Sequence, residues 1–218
     1  ASIGNNVTVT LQDNSSAVTV DALRDVDADV NVAAVAGGVV AAGVSYAGVD
    51  ASGDARAQIG NNVSIGSSAE RMGNVTIRAR NQSKQDVSAT SAGGAFAGAL
   101  VGAIVNLEDT GLTQASVGTN TEIYSDRDVI VTADDIARNN SDAVGVALAG
   151  GVALSIISSD VDVDRDAQVS IGDGAEMTGA SLTLVANIGE TGQNMATSDV
   201  TGASGGILIG VSGSESFV

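Results

Sequence analysis

Apolar and polar residues alternate with a period of two along much of this chain, the spacing of a pleated strand with one face turned inward. The alternation is clearest in Val18-Thr19-Val20-Asp21-Ala22, Val75-Thr76-Ile77-Arg78-Ala79, Val129-Ile130-Val131-Thr132-Ala133 and Leu182-Thr183-Leu184-Val185-Ala186. Val, Ile and Thr dominate these runs, and they suit a pleated surface. Clusters such as Asn14-Ser15-Ser16, Gly66-Ser67-Ser68 and Ser125-Asp126 separate them, with side chains that cap their own backbone. No stretch of about ten or more residues combines a helical apolar stripe with caps.

The pattern repeats. A box of a β-branched residue and Gly recurs as Ile3-Gly4-Asn5-Asn6, Ile59-Gly60-Asn61-Asn62, Val117-Gly118-Thr119-Asn120 and Ile171-Gly172-Asp173-Gly174, at steps of 56, 58 and 54 residues. A Gly pair recurs at Gly37-Gly38, Gly93-Gly94, Gly150-Gly151 and Gly205-Gly206, at steps of 56, 57 and 55. Residues 1–218 therefore read as one array of four units, about 1–56, 57–114, 115–168 and 169–218. The expected fold is all-β, a parallel β-helix or β-solenoid, right-handed, with each unit of about 56 residues forming two or three coils of roughly 18 to 28 residues.

The runs around the Gly pairs, 35–49, 92–107, 144–157 and 202–211, are apolar or small on both alternating faces. They fall short of the roughly 20 residues of a spanning helix, so no membrane insertion is expected. A strand pair covered on both faces is the preferred reading, and an exposed lateral interface between fibres is the alternative.

Composition narrows the chemistry. There is no His, Cys or Pro, which removes Ser-His-Asp triads, disulfides and structural zinc. Twenty-six acids against nine bases give a net charge of −17, unsuited to a nucleic-acid backbone. With two Tyr, two Phe and no Trp, the core must be thin and built from small side chains.

Asp160, Asp162, Asp164 and Asp166 share one strand face, as do Asp25, Asp27 and Asp29. Such carboxylate rows are candidate calcium ligands, or a solvated wall that keeps a fibre soluble. No other cofactor is expected. A glycan-binding module on the acidic wall is a second reading. A polysaccharide-active enzyme using Arg78, Arg80, Arg127, Arg165, Asp126 and Asp128 is a third, weakened by the scarcity of aromatic sugar platforms. A Thr8-Val9-Thr10 triplet suggests ice binding, but the equivalent Ser64-Ile65-Gly66 and Glu122-Ile123-Tyr124 break the ladder. Asn-x-Ser/Thr occurs at Asn6, Asn14, Asn62, Asn74, Asn81 and Asn139, either glycan acceptors or turn residues that repeat together.

A unit of the form Val-Thr-Val-x-Ala, an Ala/Gly-rich stretch with a Gly pair, and an acidic alternation ending in Ala-x-Ile-Gly resembles the β-strand repeats of large secreted filamentous adhesins of bacteria, the filamentous-haemagglutinin and leukotoxin-like proteins. The resemblance covers essentially the whole chain. It implies a non-enzymatic, structural protein, a rigid shaft or fibre segment, extracellular and on the bacterial cell surface. Host or neighbouring-cell surfaces are then partners. The chain begins without a signal peptide and lacks the family's secretion domain and receptor-binding tip, so it reads as a piece of shaft. The absence of Cys agrees with export as an unfolded chain. Neither end carries a polar cap, so head-to-tail self-association or continuation into more chain is expected.

Overall fold

The computed structural model of the chain describes residues 1–10, 16–189, 196–207 and 209–217. Its regular structure is all strand, without a helix: β1 (Ser2–Ile3), β2 (Thr8–Val9), β3 (Val18–Ser52), β4 (Ala55–Ile59), β5 (Ser64–Ile65), β6 (Val75–Val117), β7 (Glu122–Tyr124), β8 (Asp128–Ala149), β9 (Val152–Ile171), β10 (Glu176–Thr178), β11 (Ser181–Ile188), β12 (Ala196–Gly206) and β13 (Ile209–Phe217). Every pairing between them is parallel, in a nine-stranded sheet and a small four-stranded one of order β10-β7-β5-β2. The Asn14-Ser15-Ser16 cluster, apart from Ser16, lies outside the described residues.

The register sets the architecture. Val18 pairs with Val75, Val75 with Val129, and Leu182 with Val129. Ile3 pairs with Ile59, Ile59 with Val117, and Val117 with Ile171. Ladder partners therefore lie 53 to 58 residues apart, from Ser181↔Asp128 at one extreme to Ala55↔Thr113 at the other. The expected stacking step of 18 to 28 residues does not occur among these ladders. Each out-and-back pass of the chain makes one layer, with strands far longer than the roughly 3 to 10 residues usual for a strand: β3 has 35 residues and β6 has 43.

Each layer runs out along one leg (18–37 in the first) and back along another (40–59), and the inner faces of the two legs meet. Ser91 Oγ of the outward leg donates to the carbonyl of Gly102 on the return leg, and a hydroxyl pair joins Ser141 to Ser159. The reversal falls at the Gly pairs: β8 stops at Ala149 and β9 starts at Val152, and the β3–β6 register shifts between Gly38 and Val40.

Alternation then sorts the side chains. Val75, Ile77, Val129 and Val131 of the outward legs pack on Ala57, Ile59, Ala115 and Val117 of the return legs and on Ile65, Met72 and Ile123 near the short strands. Further along, Val87, Ala89, Val105, Leu107 and Ile157 form a second apolar cluster, and Ala99, Val101, Ala147 and Ala153 a third beside the turn. Small residues suffice because the sheets lie only about 10 Å apart. The expectation that the Gly-pair runs are covered on both faces holds for the inner face alone. On the outer face Val40, Val44, Tyr46, Leu100 and Ile156 are exposed.

The Ile-Gly-Asn-Asn box is a stacked turn. Asn6, Asn62 and Asn120 all have φ between 51° and 56°, which Asn tolerates better than most residues. The Asn62 amide donates to Asn6 Oδ1, and the Asn120 amide to Asn62 Oδ1. A Cβ on Gly118 would lie 2.4 Å from the Gly60 carbonyl oxygen, so the preceding layer demands glycine there.

This contrast makes a test. Gly118→Ala forces a backbone contact and is expected to cost about 1–3 kcal/mol in urea unfolding, as other overpacking does. Gly94→Ala, where an added Cβ meets nothing within 4 Å, should stay within about 0.5 kcal/mol of the parent.

Candidate functional site

Between the first two apolar clusters the inward positions turn polar. The column Arg24, Asn81, Asp135 runs along the outward legs, with Gln85 beside Asn139 two columns on. Across from them, on the return legs, stand Asp109, Thr113 and Arg165. The side chains of Arg165, Asp109 and Asp135 are wholly inaccessible.

Arg165 Nε lies 3.3 Å from Asp135 Oδ1, and Arg165 Nη1 lies 3.4 Å from Asp109 Oδ1. The second oxygens of the two carboxylates are held separately. Thr113 Oγ1 and Asn81 Nδ2 donate to Asp135 Oδ2 at 2.6 and 3.2 Å, and Asn139 Nδ2 donates to Asp109 Oδ2 at 3.0 Å. Arg24 Nη1 extends the chain by donating to Asn81 Oδ1 at 3.0 Å. The polar thread thus runs through three layers.

Room for the guanidinium comes from the register, which sets Gly111 beside Arg165. A Cβ on Gly111 would lie 3.0 Å from Arg165 Nη1 and 2.2 Å from the Gly53 carbonyl oxygen. Burying three charges costs several kcal/mol per ion before pairing repays it, so the thread ranks first as a device that fixes register. A slip of one residue would expose all three ionic groups and bury their outward neighbours. All three side chains are sealed from solvent, and Arg165 Nη2 has no hydrogen-bond partner among the described residues.

The residues singled out from sequence lie elsewhere. Asp160, Asp162, Asp164 and Asp166 are all exposed on the outer face of β9, opposite Asn106, Glu108, Thr110 and Leu112. Asp25, Asp27 and Asp29 line the outer face of β3, opposite Gln82, Lys84 and Asp86. Among the described residues no group of three or more His, Cys, Asp or Glu is arranged to hold a metal.

Lys84 Nζ stands 3.0 Å from Asp86 and 3.9 Å from Asp27; the hydrogen bond to Asp86 and the field of both acids raise its pKa above the ordinary lysine value. Asp54 moves the other way. Its carboxylate accepts the Leu112 N–H, which lowers its pKa, with Arg56 adding to the effect. That contribution is present at neutral pH and fades as acid protonates the folded carboxyl; half-exposure keeps it small.

The basic residues grouped as one catalytic wall do not share a wall. Arg78 and Arg80 sit on the outer face of β6 and both approach Asp21 Oδ2, at 4.0 and 2.9 Å. Asp126 pairs with Arg71 at 4.0 Å. Arg165 is interior, and its odd number beside four even-numbered acids was the missed signal: opposite parity on a strand means the opposite face. Asp109, Asp135, Asn81 and Asn139 are legible by the same parity. An open groove of about 510 Å³ runs past Arg80, Asp134 and Asn187, with no aromatic ring among its lining residues.

Thr8, Ser64 and Glu122 pair in register in the small sheet, so the Thr ladder does stop there. Of the glycan-acceptor candidates, Asn6 and Asn62 are exposed turn residues, whereas Asn81 and Asn139 are buried at 0% and 3% exposure. Asn14 lies outside the described residues. No described helix is long and apolar enough to cross a membrane. Compared with known proteins, the chain matches no family model, no curated protein and no solved structure.

Double-mutant logic checks the thread. Arg165→Met leaves two buried carboxylates without their cation and should cost about 3–5 kcal/mol of unfolding free energy. The triple variant Arg165→Met/Asp109→Leu/Asp135→Leu should recover most of that loss in the same denaturation assay, because no lone charge stays buried.

Proposed function

We propose that the chain is a structural β-solenoid of four coils, one per repeat, and a segment of a rigid shaft in an extracellular bacterial filament or adhesin. The coils are right-handed, as crossovers between parallel strands almost always are. The observation that carries the reading is the register: from Ser2↔Gln58 to Phe217↔Asp160, ladder partners come from adjacent units. Backbone hydrogen bonds along the stack make such an object stiff on its axis.

Geometry refines the shape. Coils stacked at about 4.8 Å give four of them a height of roughly 19 Å, while a leg of about 20 residues spans about 66 Å. One chain is therefore a plate, and a shaft forms when further coils continue the stack. The end strands support that continuation. β3 pairs on one side with β6, and β11, β12 and β13 pair on one side with β8 and β9. Leu184 and Ile188 occupy interior columns yet stand 45% and 48% exposed. Another coil of the same repeat would bond the free backbone and cover these side chains.

The cell-surface placement and the role in adhesion rest on the resemblance of the repeat and on the absence of Cys. The non-enzymatic reading rests on the dispersal of the basic residues and on the sealing of Arg165.

Fibres grown from the purified chain and aligned for X-ray diffraction test the reading. The expected pattern has a reflection at about 4.8 Å along the fibre axis, and Leu184→Lys should abolish growth by placing a charge in an interior column. A chain that stays monomeric at every concentration in sedimentation, or a 4.8 Å repeat perpendicular to the fibre, would overturn it.

A further inference from the structure

The outer face of the return legs is a different surface from the stack ends. Three columns cross it. Val40, Gly98, Val152 and Ile209 form the first; Ala42, Leu100 and Leu154 belong to the second; Val44, Gly102, Ile156 and Gly213 form the third. Tyr46 and Ile104 open a fourth. Val44 is 62% exposed, Ile156 55% and Val40 74%. In a chain of net charge −17, these three columns contain no charged residue.

Its size matches the largest apolar patch of an ordinary monomer even before the turn is added. Four strands about 4.8 Å apart and three same-face positions about 6.7 Å apart project roughly 400 Å², and the true accessible area of a ridged face is larger. The largest apolar patch on an ordinary monomer is about 300–600 Å². Here the patch also continues round the turn through Val39 and Phe96, 70% and 83% exposed, approaching the roughly 800 Å² per partner of a stable interface.

Charge selects the occupant. The patch ends in a staircase of acids, Asp50 in the first coil, Glu108 in the second, Asp160 in the third and Glu215 in the fourth, which repels an anionic surface. A second copy fits. A two-fold axis in the interface, parallel to the stacking direction, reverses the partner's strands and sends the two acidic margins to opposite edges. The other in-plane axis would lay acid on acid.

We propose that this uncharged outer face is a side-by-side docking surface for a second copy of the chain, independent of stacking at the coil ends. Both partners use the same columns, with ridges such as Val44 and Ile156 seated beside the gap at Gly98, the space over Gly102 being already lined by Val44 of the same chain.

The test uses the full chain with Leu184→Lys, which removes end-to-end growth. Sedimentation velocity should show a concentration-dependent dimer, and adding Val44→Glu and Ile156→Glu should halve its mass with far-UV circular dichroism unchanged. Should that variant unfold, disulfide trapping decides: in this Cys-free chain, Ala42→Cys on the middle column, which the two-fold axis brings opposite itself, should link to itself, and Thr90→Cys on the opposite outer face should not. A Glu variant that still dimerises, a chain monomeric throughout, or an Ala42→Cys protein that fails to cross-link overturns the proposal. Flotation with phosphatidylcholine vesicles, lost in the Glu variant and without a dimer in their absence, overturns it in favour of a bilayer. Failure of the parent chain, with Leu184 in place, to form fibres while the dimer persists would instead count against the shaft alone.

Discussion

Parallel pairing at a distance of one whole unit governs this molecule. Because Val75 bonds to Val18 on one side and Val129 on the other, each residue's nearest neighbours in space are its own counterparts. A side chain suited to one position must also tolerate copies of its counterparts about 4.8 Å above and below. Small residues at Gly60, Gly118 and Gly172, and Asn in the left-handed turn, are solutions to that demand rather than to local flexibility. Substitutions here act on a column, and their cost depends on what the adjacent layers hold.

The same constraint explains why an ionic thread lies inside a thin core. Two flat apolar legs that slide past each other lose little contact with a shift of two residues, since the inward face is restored. Ala- and Val-rich stretches such as 87–89 and 103–107 specify such a position poorly. Arg165, Asp109 and Asp135 do specify it, because their hydrogen bonds exist in one alignment and an unpaired partner is costly to bury. The hydroxyl pairs Ser45–Ser91 and Ser141–Ser159 act likewise nearer the turn. Apolar clusters supply the driving force for collapse, and the polar belts between them select the register.

Much of this was written in the chain. The Val18/Val75/Val129/Leu182 and Ile3/Ile59/Val117/Ile171 markers each stack in register, since they sit in the straight parts of the two legs. The Gly pairs were the less faithful guide: Gly37 bonds beside Gly94, and Gly94 beside Leu148, because the turn absorbs differences in unit length. The number of layers per unit was hidden for a related reason. Period-two alternation runs through the reversal without interruption, so one long bent strand and several short ones look the same. Parity, available in the sequence, places Arg165 inside; without knowledge of which parity faced inward, its acidic neighbours drew attention to the wrong face. The exposure of Val44 and Ile156 was illegible, because a run apolar on both faces states a need for cover without naming the cover.

Charge placement turns these surfaces into a directional set. The outward legs carry Asp21, Asp25, Asp27 and Asp29 on the first layer and Arg78, Arg80, Lys84 and Asp86 on the second, so attraction between those layers is local, Arg78 and Arg80 approaching Asp21 and Lys84 approaching Asp27. The return legs keep their acids beyond the apolar columns. Two copies approaching at random therefore meet repulsion over most of their surfaces, screened beyond about 8–10 Å at physiological salt, and attraction where backbone edges or uncharged columns face each other. High net charge here does not oppose assembly as such. In the proposed assembly it removes competing contacts, leaving the axial edges and the uncharged face as the docking surfaces.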